Sequence, residues 1–241
     1  MKYHFVKNPF ITEKTELYNN KIKHFKQTSI EECDIIVCGG GDGTLLHTIR
    51  DYKKYCKPFW GYNAGTLGFL MNDGFPWDYR EPTKLTLKTM KTEVTYIKDF
   101  TEITESFEAF NDIMIGGDMN SYISFKVIEK DNILGNFKGG GLIISTPQGS
   151  TGVNKNNNGV ILTIDSNLWS ITGDKTDRRI EYVLEPREIK IAVEARTPVS
   201  VWVDGSGTVL EDVSNISISE GPSVEVYFGD IEYFKTKRVL K

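Results

Sequence analysis

The stretch Gly39-Gly40-Gly41-Asp42-Gly43-Thr44 follows the apolar run Asp34–Cys38 directly and precedes Leu45–Lys53. The apolar run predicts a buried parallel strand, and the apolar residues at 45, 46 and 49 predict a helix. Glycines let backbone N–H groups approach an anion closely because no Cβ stands in the way, and a helix N-terminus offers unpaired N–H groups. The pattern therefore predicts a phosphate site with one carboxylate, Asp42, available for chemistry.

The first third of the chain has the rhythm of an α/β domain. A strand over Tyr3–Val6 and a polar helix over Glu13–Phe25 are predicted before the glycine turn, and a strand over Phe59–Tyr62 after it. Ligands of parallel sheets bind at the carboxyl ends of strands. The glycine turn and the loop Asn63–Gly68 both follow predicted strands, so we expect both at the ligand-binding edge.

The pattern changes after Pro82, where alternating and β-branched segments predict an all-β domain. The predicted strands are Lys84–Lys88, Val94–Phe100, Ile113–Ile115, Tyr122–Glu129, Leu142–Ser145, Ile189–Glu194, Val199–Val203, Val213–Ser219 and Val224–Phe228. Turn signals between them are Asp131-Asn132, Asp204-Gly205 and Gly221-Pro222. We predict an α/β domain over residues 1–82 and an all-β domain over 83–223, with residues 224–241 as a candidate for return to the first domain.

Composition excludes several classes of protein. The 241 residues are 39% hydrophobic and 26% charged, as in soluble globular chains. A net charge of −4 argues against nucleic-acid binding, and no apolar stretch approaches the roughly 18 residues of a membrane span. No apolar signal segment begins the chain, and three cysteines without a C-x-x-C pair fit a reducing compartment. We therefore expect a cytoplasmic protein without nucleic-acid or membrane partners.

The glycine turn alone leaves alternatives open. It lacks the lysine of a P-loop, and Thr44 stands where the dinucleotide fingerprint needs its third glycine. A tight strand-to-helix turn with Asp42 as the helix cap would explain the same residues without a ligand.

Four further segments carry polar groups suited to a nucleotide. Asn63-Ala-Gly-Thr-Leu-Gly-Phe-Leu70 combines an amide with two glycines, and Phe110-Asn111-Asp112 puts a polar pair before an apolar strand. Gly141–Ile161 contains Ser145-Thr-Pro-Gln-Gly-Ser-Thr-Gly152, and Asp204-Gly205 is a hairpin-like turn.

Taken in order, these segments resemble the NAD kinase family, also called ATP/polyphosphate-NAD kinases. G-G-D-G-T also occurs in diacylglycerol kinases, sphingosine kinases and phosphofructokinases, whereas N-x-G-x-L-G-F-L and the long S-T-P segment resemble those of NAD kinases. The resemblance implies a Rossmann-like α/β N-terminal domain, an all-β C-terminal NAD-binding domain, and a homodimer or homotetramer.

The resemblance also implies the reaction, transfer of the ATP γ-phosphate to the 2′-hydroxyl of the adenosine ribose of NAD. Asp42 would be the base, and Gly40, Gly41, Gly43 and Thr44 would hold the ATP phosphates. Mg²⁺ would bind through those phosphates without a dedicated protein ligand, although Asp42 could help to shape its site. The implied NAD-binding residues are Asp42, Gly43, Asn63, Phe69, Asn111, Asp112, Lys138, Ser150, Thr151, Gly152, Val153 and Asn156.

Departures from the family pattern concentrate in one segment and mark a divergent member. Gly140 replaces an aspartate, Gln148 a threonine, Gly152-Val153 an alanine-tyrosine pair, and Asn156 a serine. Each lost carboxylate or aromatic contact costs about 1–3 kcal/mol of binding if nothing replaces it. Two alternatives therefore stay open: a weak or inactive NAD-binding regulatory protein, and a G-G-D-G-T kinase with another acceptor.

Overall fold

A computed structural model describes residues 1–8, 12–65, 68–117, 122–210 and 212–239. The chain divides into two compact units. Unit 1 comprises Met1–Leu87 and Ser223–Lys241, and unit 2 comprises Lys88–Pro222. The predicted fold class is confirmed, since unit 1 is α/β and unit 2 is built almost entirely of strands. None of the described helices is both long and apolar enough to cross a bilayer.

The helices and strands follow one another in a simple order. Unit 1 begins with β1 (Tyr3–Val6), α1 (Glu13–Ile22), β2 (Ile35–Gly40), α2 (Asp42–Tyr52) and β3 (Phe59–Asn63). The chain continues through β4 (Thr83–Lys98), β5 (Thr101–Ala109), β6 (Asp112–Gly116), β7 (Ile123–Glu129), β8 (Asn132–Gly139), β9 (Gly141–Ser145), α3 (Val153–Asn156), β10 (Trp169–Asp174), β11 (Glu181–Leu184), β12 (Ile189–Glu194), β13 (Val199–Val203) and β14 (Ser206–Leu210). It ends with β15 (Val213–Phe228) and α4 (Ile231–Val239), and both β4 and β15 have residues in each unit.

Unit 1 is organised around a parallel sheet with the strand order β1-β2-β3-β15. Every residue of β2 is buried, as expected of a central parallel strand, and both α1 and α2 pack against it. Tyr18 of α1 is fully buried, and its hydroxyl lies 3.1 Å from the carbonyl oxygens of both Val6 and Val37, which share its one proton. Helix α1 is thereby fixed to two neighbouring strand segments.

The end of β15 is fixed to unit 1 by Asn72, a fully buried amide. Its Nδ2 donates to the carbonyl oxygens of Gly61 (3.2 Å) and Tyr227 (3.1 Å), and its Oδ1 accepts from the Gly229 N–H at 2.7 Å. One side chain therefore satisfies backbone groups of β3 and of the returning segment together.

Unit 2 contains two sheets whose strand pairs are antiparallel. One has the order β11-β10-β9-β6-β13-β14, and the other has β15, β12, β7 and β8 in sequence, while β4 pairs with β15 and β5 pairs with β4. A single hydrophobic core contains residues from both sheets, among them Ile113, Phe125, Trp169 and Ile191.

Several predicted boundaries were wrong. Helix α1 ends at Ile22 rather than Phe25, and α2 begins at Asp42 rather than Leu45, so Gly41 is the N-cap and Asp42 is not. The segments predicted as separate strands over 84–88 and 94–100 form the one strand β4. Strand β5 was missed because its residues alternate among Thr, Glu and Ser with few apolar positions.

The two glycine turn signals in the C-terminal half have different outcomes. The turn at Asp204-Gly205 is confirmed: φ is 50° and 79°, as a tight hairpin between β13 and β14 requires. The turn at Gly221-Pro222 was wrong because both residues lie inside β15. A Cβ at Gly221 would overlap Thr89 and lie 3.1 Å from the Lys91 nitrogen, so this glycine allows β15 to approach β4 closely.

Candidate active site

The glycine turn joins the carboxyl end of β2 to the first turn of α2. Gly41 is the N-cap with φ −105° and makes no side-chain capping bond, and its carbonyl accepts from the Thr44 N–H at 2.9 Å. The N–H groups at the start of an α-helix have no partner within the helix. An anion at this end of α2 would therefore meet backbone donors and the positive end of the helix dipole.

The glycines of the turn serve two different purposes. A Cβ at Gly39 would overlap the Tyr18 ring, and one at Gly40 would overlap the Thr44 hydroxyl. A Cβ at Gly41 or Gly43 would meet no heavy atom within 4 Å among the residues that the structure describes. Packing explains the first pair, and the second pair leaves open space on the ligand side.

Asp42 joins the two predicted glycine loops. Its carboxylate oxygens accept the Phe69 N–H and the Leu70 N–H, both at 2.9 Å. These bonds fix the direction of the carboxylate while the side chain remains partly exposed. A carboxylate has about four lone-pair sites, so one that accepts these two N–H bonds has the chemistry to accept a proton from a substrate hydroxyl as well.

Asn63 organises the second loop. Its Oδ1 accepts the Gly65 N–H at 3.1 Å, and its Nδ2 donates to Asp73 at 3.2 Å. The Ala64 N–H donates to the Gly40 carbonyl at 2.9 Å, which brings this loop beside the glycine turn. Thr66 and Leu67, which belong to the predicted motif, lie outside the described residues.

In unit 2 the segment Phe110–Asp112 is held by the hairpin turn between β13 and β14. One carboxylate oxygen of Asp204 accepts the Phe110 N–H at 2.8 Å. The other accepts the N–H groups of Asn111 (2.7 Å) and Asp112 (3.2 Å). The Thr146 hydroxyl donates to the Asn111 carbonyl at 2.9 Å, so the segment also contacts the S-T-P loop. Three sequence motifs that are far apart in the chain thus meet at one place.

Asp112 has an unusual electrostatic environment. Its side chain is 6% exposed, and burial together with the nearby Asp204 charge raises its pKa from 3.8 to about 7. Among the described residues, the buried Asn111 Oδ1 and Ser145 Oγ have no hydrogen-bond partner. Ser145 is the register partner of Asp112, so the two side chains share one face of the sheet. Buried polar atoms without partners are uncommon and indicate a place where a polar ligand would bind.

Some residues of the S-T-P loop are buried and bonded within the protein, whereas others are accessible to a ligand. Ser150 is fully buried; its hydroxyl donates to the Pro147 carbonyl (2.8 Å) and accepts the Leu162 N–H (2.9 Å). Thr151 and Val153 are half-buried, whereas Gly152 and Asn156 are exposed. A Cβ at Gly152 would lie 3.6 Å from the Asp112 carboxylate, which places this part of the loop beside Asp112.

Asn154 shapes the loop, and sequence reasoning missed it. This fully buried amide donates to the carbonyls of Ser150 (3.1 Å) and Val160 (2.9 Å). Its Oδ1 accepts from the hydroxyls of Ser170 (3.1 Å) and Thr172 (2.7 Å). An asparagine in a polar tract carries no signal for such a role, because two of its four partners, Ser170 and Thr172, lie in the separate strand β10.

Two other predicted positions differ from the rest. Lys138 is exposed on β8, where its backbone N–H donates to Asp177 at 3.2 Å. A Cβ at Gly140 would lie 3.2 Å from the Asp174 carbonyl and 3.4 Å from its carboxylate. An aspartate at this position would bring a second carboxylate close to that of Asp174. In the described parts of the chain, no group of three or more His, Cys, Asp or Glu could hold a metal ion.

Comparisons with known proteins agree on one family. A model of the ATP-NAD kinase N-terminal domain matches residues 5–94. The NAD kinase of Hyphomonas neptunium is 31% identical over 209 residues, covering 82% of this chain and 78% of that protein. The NAD kinase of Clostridium botulinum strain Alaska E43 is 29% identical over 241 residues, covering 92% and 82% respectively.

Solved structures show the same fold. A yeast NADH kinase complexed with NADH has a TM-score of 0.81 at 17% identity, covering 98% of this chain and 85% of that one. An NAD kinase from Archaeoglobus fulgidus in complex with ATP has a TM-score of 0.72 at 19% identity, covering 98% and 96%.

Proposed function

The chain belongs to the NAD kinase family of phosphotransferases, and we propose that it transfers the γ-phosphate of ATP to the 2′-hydroxyl of the adenosine ribose of NAD. One observation carries the proposal: the Asp42 carboxylate is fixed by two N–H bonds at the open end of a glycine turn that begins a helix. The named relatives do not favour an inactive protein or another acceptor.

The donor phosphates would bind at Gly40–Thr44, where Gly41 and Gly43 leave room; Thr44 would contribute through its hydroxyl, because its N–H donates to the Gly41 carbonyl. Phosphoryl transfer depends mainly on positioning and on neutralising charge, and fixed donors provide both. Mg²⁺ would supply further charge neutralisation when bound with ATP, and the partly exposed Asp42 carboxylate is the group of the turn suited to it.

Asp42 would accept the proton of the attacking 2′-hydroxyl. A correctly placed base accelerates such a step by about 10²–10⁴-fold. The two N–H donors hold the carboxylate in one orientation before the substrate arrives, which reduces the reorganisation needed in the reaction.

The residues of unit 2 would bind NAD. The unpartnered Asn111 Oδ1 suits a ligand N–H or O–H group, and the Asp112 carboxylate suits paired ribose hydroxyls. Thr151, Gly152, Val153 and Asn156 would contribute from the loop surface, and Ser150 through its backbone since its hydroxyl is already bonded. Asn63, Phe69 and Gly43 of unit 1, and the exposed Lys138, remain proposed contacts.

The test is direct production of NADP. Purified protein would be incubated with ATP, Mg²⁺ and NAD, and NADP measured with an NADP-specific dehydrogenase. We expect NADP that depends on all three additions. Absence of NADP at millimolar NAD would overturn the proposal, and replacing ATP by polyphosphate would define the donor. We further propose a cytoplasmic homodimer or homotetramer, which sedimentation of the purified protein would test.

A further inference from the structure

The polar backbone groups of Phe110–Asp112 are bonded by side chains from two other segments. Asp204 accepts all three N–H groups. The Nε2 of Gln148 donates to the Phe110 carbonyl at 2.6 Å and to the Lys88 carbonyl at 2.8 Å. Gln148 is 2% exposed, so these bonds lie in a buried environment, where the low dielectric constant makes a hydrogen bond stronger than in water.

We propose that Asp204 and Gln148 are positioning residues that hold Asn111 and Asp112 in the conformation that binds NAD. The inference rests on the proposed function, because it assigns Asn111 and Asp112 to NAD. Neither Asp204 nor Gln148 needs to contact the ligand, since each acts through the backbone of the segment.

The need for side-chain partners follows from where β6 begins. The strand starts at Asp112, so Phe110 and Asn111 precede the ladder bonds of the sheet. Their backbone groups are buried or half-buried and must be satisfied by other means. The left-handed conformation of Asp204, with φ 50°, places its carboxylate at the turn where three N–H groups can share it.

The residue type at position 148 matters for the same reason. An amide nitrogen carries two N–H groups and can serve two carbonyls at once, whereas a hydroxyl has one proton. Threonine, the family's residue at this position, could not bond both Phe110 and Lys88 through a single donor. Gln148 therefore connects β4 to the segment that contains Asn111 and Asp112.

If Asp204 positions Asn111 and Asp112, replacing it should have effects on NAD binding that a general loss of stability would not have. Asp204 also adds its negative charge beside Asp112. Removing that charge should alter the position of the segment and lower the Asp112 pKa. NAD binding that uses the Asp112 carboxylate should weaken as pH falls through about 7 in the wild type, and the inflection should lie at lower pH without the Asp204 charge.

The first experiment compares Asp204→Asn with the wild type by calorimetric titration of NAD between pH 5.5 and 9. We expect about tenfold or greater loss of affinity at pH 8 together with a shift of the inflection to lower pH. A variant that is merely less stable would lose affinity without that shift. The control is Glu105→Gln, another unit 2 carboxylate, which accepts from the Tyr96 hydroxyl and should change neither quantity.

The second experiment uses Gln148→Met, which keeps the side-chain length and removes both donors. We expect a KM for NAD about tenfold higher with an unchanged KM for ATP, and faster amide hydrogen exchange at Phe110, Asn111 and Asp112. NAD affinity within twofold of the wild type in both variants, with an unmoved inflection, would overturn the inference. A wild type that binds NAD but makes no NADP would instead overturn the proposed function and leave this inference standing.

Discussion

The glycine turn of unit 1 and the Phe110–Asp112 segment of unit 2 are positioned in opposite ways. The backbone of the turn follows from its immediate neighbours, β2 before it and α2 after it, although the Asp42 carboxylate is fixed by the more distant N–H groups of Phe69 and Leu70. The segment is set by side chains 35 to 94 residues away, those of Thr146, Gln148 and Asp204. The backbone of the first site is thus largely local, whereas the second exists only once a tertiary fold has brought separate loops together.

The two carboxylates at these sites differ as well. Asp42 is partly exposed and accepts two backbone N–H bonds, while Asp112 is buried beside another carboxylate. We infer that the bonds of Asp42 keep its carboxylate in one orientation, whereas burying Asp112 beside Asp204 lowers the stability of the folded protein. Functional sites are where such locally unfavourable arrangements are expected.

The largest effect should come from removing the charge at the locally built site. Asp42→Asn removes the proposed base and places an amide against backbone N–H groups, so kcat should fall about 10²–10⁴-fold. Steady-state NADP formation measures this. Asp51→Asn, an exposed aspartate of the same helix, is the matched control. Activity within tenfold of the wild type would contradict the role of Asp42.

The burial of Asp112 should make the stability of the protein depend on pH. Between pH 4 and 7 the folded Asp112 keeps a proton that the unfolded chain has lost, so stability falls as pH rises through this window, by about 4 kcal/mol. Asp112→Asn should therefore be more stable than the wild type at pH 8, by up to about that amount, and nearly equal at pH 4.

Urea unfolding at the two pH values measures the difference, with the exposed Asp131→Asn as control. The same free-energy difference at pH 4 and pH 8 would argue that the Asp112 carboxyl titrates normally. The variant should also bind NAD more weakly, which would show that stability and binding oppose each other at this residue.

The smallest expected effects distinguish the glycines of the turn that pack against other residues from those that border open space. Gly39→Ala would press a methyl group into the fixed Tyr18 ring and should destabilise the protein by about 1–3 kcal/mol. Gly41→Ala has a suitable backbone and open space, so stability should change by less than about 0.5 kcal/mol while the KM for ATP rises. Thermal unfolding and ATP titration separate the two; equal destabilisation by both variants would remove the distinction.

Sequence reasoning succeeded where structure is determined locally. Strand β1 was predicted to the residue, and β2, α2 and β3 within a few residues, because an apolar run, a glycine turn and helical periodicity act over short distances. The fold class followed from the same patterns, and the family resemblance supplied the function that the relatives support.

Partners that are distant in the chain could not be predicted from the sequence. Nothing near Ser150 in the sequence indicates that its hydroxyl would bond to Pro147 and Leu162 rather than face a ligand. Asp204 could be recognised as a turn residue, but its three bonds to Phe110–Asp112 depend on pairing between β13 and β6. Gly39 was predicted as part of the glycine turn without a role of its own, and its contact with Tyr18 appears only when α1 packs on β2.

The bonds of Asn72 to Tyr227 and Gly229 bear on the order in which the protein can be made. Unit 2 is one continuous stretch, so its strands can pair without any residue from 223 onward. Unit 1 has to wait, because the Asn72 amide and the edge of β3 lack their partners until residues 223–229 have been synthesised. The strand that precedes the glycine turn would thus belong to a unit that is completed only when the C-terminal segment is available.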